Sequence, residues 1–183
     1  MANTTTTTHT TTSRTQIRLL CITAIFASLI TIMTAYVCHI PTPITGGYLH
    51  FGDSLIYLAA TILPRPYALA AAAIGGGMAD LLTAPMWAPP TILIKMLITL
   101  PFTSKEKRIM TPRNMFAPIL SYLISGTGYF LANNLLFGAG VAFFTSFMGS
   151  AIQSFGSAAV FIALGGLLDK AHFKHRVRFL ISK

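Results

Sequence analysis

Residues 17 to 38 read IRLLCITAIFASLITIMTAYVC, an apolar run whose single charge, Arg18, stands at its start. A hydrocarbon core about 30 Å thick is crossed by roughly 20 apolar residues in a helix, so this run is long enough to span it. A basic flank before an apolar run also marks a cleaved leader, but no small-residue cleavage site follows this one. Further apolar runs cover about Asp53–Leu63, Tyr67–Ala84, Thr91–Phe102, Met115–Phe137 and Val141–Leu168. Of all residues 54% are hydrophobic and 9% charged, and the mean hydropathy is +0.67; a soluble domain carries about 25% charged residues. The pattern describes an all-α integral membrane protein with six transmembrane helices. In 183 residues, no soluble catalytic domain is expected beside them.

The formal net charge of +9 suggests nucleic acid only if the basic residues share one face. They do not. Arg14 and Arg18 flank the first run, Arg65 lies between the second and third, and Lys105, Lys107, Arg108 and Arg113 fill the fourth connection. Lys170, Lys174, Arg176, Arg178 and Lys183 follow the sixth run, and connections one, three and five carry no Lys or Arg. The positive-inside rule then places both termini and the even connections in the cytoplasm. The charge is a topology signal, and no nucleic-acid partner follows from it. Residues 1–14 form a Thr-rich tract expected to be disordered, 15–170 the membrane domain, and 171–183 a basic cytoplasmic C-terminus.

Runs two and four are too short to cross a bilayer unaided, which implies a cavity near the outer face, completed by loops or neighbouring helices. Polar residues gather in that outer half: His50 and Asp53 before run two, Asp80 late in run three, Lys95 early in run four, Asn133 and Asn134 late in run five, and Gln153 in run six. An ionisable side chain inside a bilayer costs several kcal/mol unless paired or solvated, so these residues outline a polar pocket for a small hydrogen-bonding ligand. Each also has an ordinary reading. Lys95 pairs with either Asp80 or Asp53, Asp53 caps a helix, and the two asparagines serve as interhelical glue of about 0.6 kcal/mol per bond. Cys21 and Cys38 are about 25 Å apart along a helix, too far to bridge. No histidine spacing matches a metal site. The run Gly75-Gly76-Gly77 follows no strand and precedes no Gly-Lys-Ser/Thr, so it is no phosphate-binding loop. Neither cofactor nor metal is expected.

Three ordered motifs carry a resemblance: Gly46-Gly47-Tyr48-Leu49-His50-Phe51-Gly52-Asp53, then Gly75-Gly76-Gly77-Met78-Ala79-Asp80, then Thr91 and Lys95 after Ala88-Pro89-Pro90. Over about residues 15 to 170 the chain resembles the substrate-binding S components of energy-coupling factor vitamin transporters, in the branch that carries riboflavin, pyridoxine and hydroxymethylpyrimidine. The resemblance implies six helices with both termini inside a bacterial plasma membrane and a vitamin site near the outer surface under the first loop. It also implies partners: a transmembrane T protein and two cytoplasmic ATPases, onto which the subunit docks through small residues of span one. Thr23, Ala27, Thr31 and Ala35 recur every fourth residue there, with Ala24 and Ser28 beside them. The family's Ala-(x)3-Ala pattern is met only as Ala24-(x)3-Ser28 or with threonines.

The expected mechanism has the outer loop, with Tyr48 and His50, closing over a ligand held by Asp53, Asp80, Lys95, Gln153 and Asn133 or Asn134, with Trp87 stacking on its ring. Pyridoxine or hydroxymethylpyrimidine suits so small a pocket best, and riboflavin is the alternative. An intramembrane enzyme requires a paired nucleophile and base that the sequence does not present. A channel requires polar residues along its whole depth, whereas the inner half here is nearly devoid of them. A non-transport assembly role is the remaining rival.

Overall fold

The computed structural model describes residues 5–37, 40–41, 48–138 and 142–182. In chain order the elements are α1 (Thr5–Ala35), β1 (Ile40–Pro41), β2 (Tyr48–Leu49), α2 (Asp53–Ile62), α3 (Arg65–Thr83), a 3-10 turn (Pro85–Trp87), α4 (Ala88–Leu97), α5 (Pro112–Phe137), α6 (Ala142–Lys170) and α7 (Phe173–Ser182). Three stretches are long and apolar enough to cross a membrane: Arg14–Ala35, Pro112–Phe137 and Ser146–Lys170. By contrast α2 and α4 have ten residues each, about 15 Å of helix, half a hydrocarbon core. The two strands form a minimal antiparallel hairpin, Ile40 opposite Leu49 and Pro41 opposite Tyr48.

Helix boundaries follow local chemistry. Thr111 caps α5, its side chain accepting from the Asn114 N–H, and Pro112 fills the first helical position, where a missing N–H costs nothing. Prolines likewise open α3 and α4. The α5 helix stops at Gly138, whose φ of 82° suits glycine. The α1 helix extends back to Thr5, into the tract expected to be disordered; adding residues to an existing helix avoids the nucleation cost. The basic C-terminus also folds, as α7, with Lys174 and Val177 buried. Lys95, expected early in its helix, sits in the last turn because α4 starts at Ala88.

The α3 helix lies between α1 and α4, and its three glycines make this possible. A Cβ on Gly75 would lie 2.7 Å from Ile30 of α1, on Gly76 2.7 Å from the Lys95 stem, and on Gly77 2.6 Å from Ile92 of α4. The backbones approach closely because no side chain intervenes. The Thr31 hydroxyl donates to the Gly75 carbonyl at 3.1 Å, tying α1 to α3. The α5 and α6 helices pack together, with Phe147 against Gly126, and α2 fits among α1, α3 and α6. Tyr57 of α2 is fully buried, stacked on Phe102 at 4.8 Å and edge-on to Phe161 of α6 at 5.9 Å.

Polarity is inverted relative to a soluble protein. Ile25, Leu29 and Ile32 of α1, Ile119 and Leu131 of α5, and Ile152 and Phe155 of α6 are exposed, while Ser121, Ser125, Ser154 and Ser157 are buried. An apolar exterior over a polar seam is the arrangement that lipid requires.

Candidate ligand-binding site

Asp53 is the first residue of α2, and Lys95 lies in the last turn of α4. Their side chains meet at 2.6 Å, and both are completely buried. The other carboxylate oxygen of Asp53 accepts from Gln153 Nε2 of α6 at 2.9 Å. Three helices therefore converge on one carboxylate, and the start of α2 adds the positive end of its dipole. Burying both charges costs several kcal/mol per ion, repaid only when geometry and hydrogen bonds are good. Here both carboxylate oxygens are bonded. Of the two pairings open to Lys95, the structure makes the one with Asp53. The helix-capping reading of Asp53 does not apply: Gly52 holds the cap position and makes no side-chain cap bond.

His50 is buried and accepts the Gly52 N–H on Nδ1 at 3.0 Å, which fixes its ring within electrostatic reach of Asp53. Gly52 is required here, since a Cβ would run into Thr34 of α1. Asp80 is buried on α3 and acts electrostatically on both Lys95 and Tyr129. The Lys95 ammonium also lies 5.8 Å above the Tyr129 ring, a cation–π contact. The Tyr129 hydroxyl shares a hydrogen bond with Thr91 at 3.1 Å. Thr91 and Lys95 are one turn apart on α4 and so face the same way.

Beside this cluster lies a second one. Trp87 packs against Tyr129 and Phe137, each at 5.9 Å between ring centres, with Ala84 and Ala132 filling the gap. Asn133 is buried and donates to Ser146 Oγ of α6 at 2.8 Å. Two polar atoms here, Trp87 Nε1 and Asn133 Oδ1, are buried without a hydrogen-bond partner among the described residues. Leaving such a group unsatisfied costs about 1–3 kcal/mol.

The structure thus brings His50, Asp53, Asp80, Lys95 and Gln153 together, with Trp87 and Asn133 alongside. Asn134 does not join them: half-buried, it donates to the Phe130 carbonyl of its own helix at 2.9 Å. The Tyr48 side chain lies outside the described residues; only its backbone pairing with Pro41 is defined. Tyr129, Thr91 and Ser146 are additions that the sequence reading did not place in the site. Tyr129 lies four residues before Asn133, on the same helix face, and that spacing was the available signal. The small-residue stripe divides in two. Thr23, Ala27 and Ala35 are buried and Thr31 half-buried, on the α1 face that packs against α3, whereas Ala24 and Ser28 are exposed.

A buried polar cluster carried on the helices of an apolar-surfaced bundle is the arrangement of a membrane protein that binds a small ligand. Residues 14–170 match the family ECF-type riboflavin transporter, S component. The chain belongs to that family: it is a multi-pass plasma-membrane protein and the substrate-binding subunit of a vitamin transporter, not an enzyme. It is also 29% identical over 140 residues to an uncharacterized protein in a gap 3' region of Pyrococcus woesei, covering 75% of this chain and 93% of that protein. The family match supports riboflavin, the alternative reading, and gives no support to pyridoxine or hydroxymethylpyrimidine.

Proposed function

We propose that the chain captures riboflavin at the side of the membrane carrying the β1–β2 hairpin, and delivers it inward with a T protein and two ATPases. The observation that carries this reading is the pair of partnerless buried groups, Trp87 Nε1 and Asn133 Oδ1, beside the closed Asp53–Lys95–Gln153 network. A tricyclic isoalloxazine ring offers carbonyl acceptors to the indole N–H and an imide donor to the amide oxygen. Its aromatic faces suit Trp87 and Tyr129. The ribityl hydroxyls suit Asp53, Asp80 and His50 as further hydrogen-bonding partners. Tyr48 and His50 then belong to the loop that closes over the bound vitamin.

In this reading six spans cross the bilayer, both termini are cytoplasmic, and the hairpin is outside, as the distribution of Lys and Arg supports. Docking on the T protein uses the exposed Ala24–Ser28 strip of α1, since Thr23, Ala27 and Ala35 are buried and Thr31 is hydrogen-bonded to the Gly75 carbonyl of α3. The test is uptake by proteoliposomes containing the chain, a T protein and two ATPases, loaded with ATP inside. Labelled riboflavin is accumulated, and pyridoxine and hydroxymethylpyrimidine are not. Accumulation of either smaller vitamin in place of riboflavin overturns the substrate assignment.

A further inference from the structure

At the end of the bundle opposite the hairpin, a cavity of about 400 Å³ opens between the α2–α3 corner and the segment after α4. Ala60 and Phe102 form its apolar floor, and Thr99 and Ser104 stand on its wall. Arg65 and Lys105 reach it from different connections. Both cations are exposed, and neither is paired with a carboxylate among the described residues.

The rim is built rather than loose. Asn114, fully buried, accepts the Thr103 N–H at 2.9 Å and donates to the Thr103 carbonyl at 3.0 Å. Arg113 donates to the Pro101 carbonyl at 2.9 Å. From α7, Arg178 reaches the Ser104 carbonyl and those of Lys105 and Glu106, each of the latter two at 2.8 Å. Side chains from two helices thus hold the backbone of residues 101 to 106, which carries Lys105 to the same cavity that Arg65 lines.

We propose that this cavity binds the phosphate group of an anionic phospholipid, held between Arg65 and Lys105 with its glycerol end over the apolar floor. Two unneutralised cations converging on one hollow select a phosphate, and 400 Å³ is within the range of small-ligand sites. The apolar floor favours a lipid over free phosphate. The proposal rests on the topology above in one respect: that topology places the cavity at the cytoplasmic bilayer surface, where anionic headgroups are abundant.

The experiment is native mass spectrometry of the purified full-length chain in mild detergent, titrated with phosphatidylglycerol, phosphatidylcholine or inorganic phosphate. The wild type retains one phosphatidylglycerol, and the double variant Arg65→Gln/Lys105→Gln, altered only at exposed side chains, loses affinity roughly 10-fold or more, as expected for two charge-assisted contacts. A single Arg65→Glu variant shows the same direction. Equal retention by wild type and variants, or equal retention of phosphatidylcholine, overturns the site. Displacement of the lipid by millimolar inorganic phosphate overturns the lipid source. The readout does not depend on sidedness, and riboflavin affinity of the double variant is unchanged, so its failure leaves the capture reading untouched.

Discussion

Asp53 and Lys95 show how a residue's value depends on its partner. Breaking a buried pair by removing one member costs about 3–5 kcal/mol, whereas replacing both with apolar groups is often near neutral. Lys95→Met therefore lowers the unfolding midpoint in detergent sharply, and Asp53→Leu/Lys95→Met recovers most of the loss. Equal melting of single and double variants would show that the pair is not coupled. Gly76 tests the same site from behind, since its substitution by Ala places a Cβ 2.7 Å from the Lys95 stem. The helix-propensity gain of about 1 kcal/mol offsets the strain, so the expected result is unchanged stability with vitamin affinity reduced about tenfold, read by fluorescence titration. The sequence makes these residues visible because a charge in an apolar run has to be explained. It does not reveal which aspartate Lys95 meets, since that depends on how α2 sits against α4. Asn134 differs from Asn133 only by the 100° turn of a helix, and the hydrogen bonds to Ser146 and Phe130 separate the two. Tyr129 escapes notice because an aromatic residue in an apolar helix reads as core.

At the scale of elements, small residues on α1 are legible as a close-packing surface, but periodicity does not say against what. The structure assigns Thr31 and Ala27 to α3 and leaves Ala24 and Ser28 free of the bundle. Ala24→Leu/Ser28→Leu accordingly reduces co-purification with the T protein while vitamin affinity is retained; wild-type recovery of the complex moves the docking face elsewhere. The α7 helix was not legible at all, its basic residues reading as a solvated tail. It is held by Arg18 donating to the Leu180 carbonyl at 2.7 Å and by Lys174, which is 1% exposed and donates to the Arg108 carbonyl at 3.3 Å. Burial, assisted by the neighbouring Arg178, pushes the Lys174 ammonium down to about 8. Because the unfolded or undocked lysine keeps its proton to higher pH, docking strengthens as pH rises from about 8 towards 10.5 and carries its full penalty below 8. Amide exchange of residues 173–182, corrected for intrinsic rates, slows over that window. In Lys174→Met the slowing disappears; persistence of the pH dependence there assigns it to another group.

For the whole molecule, the apolar runs mark an all-helical membrane protein in the sequence alone, because the bilayer penalises misplaced charge more strongly than tertiary packing rearranges it. The aromatic plug of Tyr57, Phe102 and Phe161 was beyond reach, since it joins segments far apart in the chain. In a Cys21→Ser/Cys38→Ser background, a cysteine at Met86 is expected to react with an impermeant maleimide from outside intact cells, and one at Lys107 only after permeabilisation; the reverse pattern inverts the topology. The most direct test is equilibrium titration of the purified chain, without its partners, against riboflavin, followed by quenching of the vitamin's fluorescence. Saturable one-to-one binding, weakened about tenfold by Trp87→Phe and by Asn133→Leu with the fold intact, is the predicted result. Absence of binding by the wild-type chain, or full affinity in both variants, would contradict capture at this site.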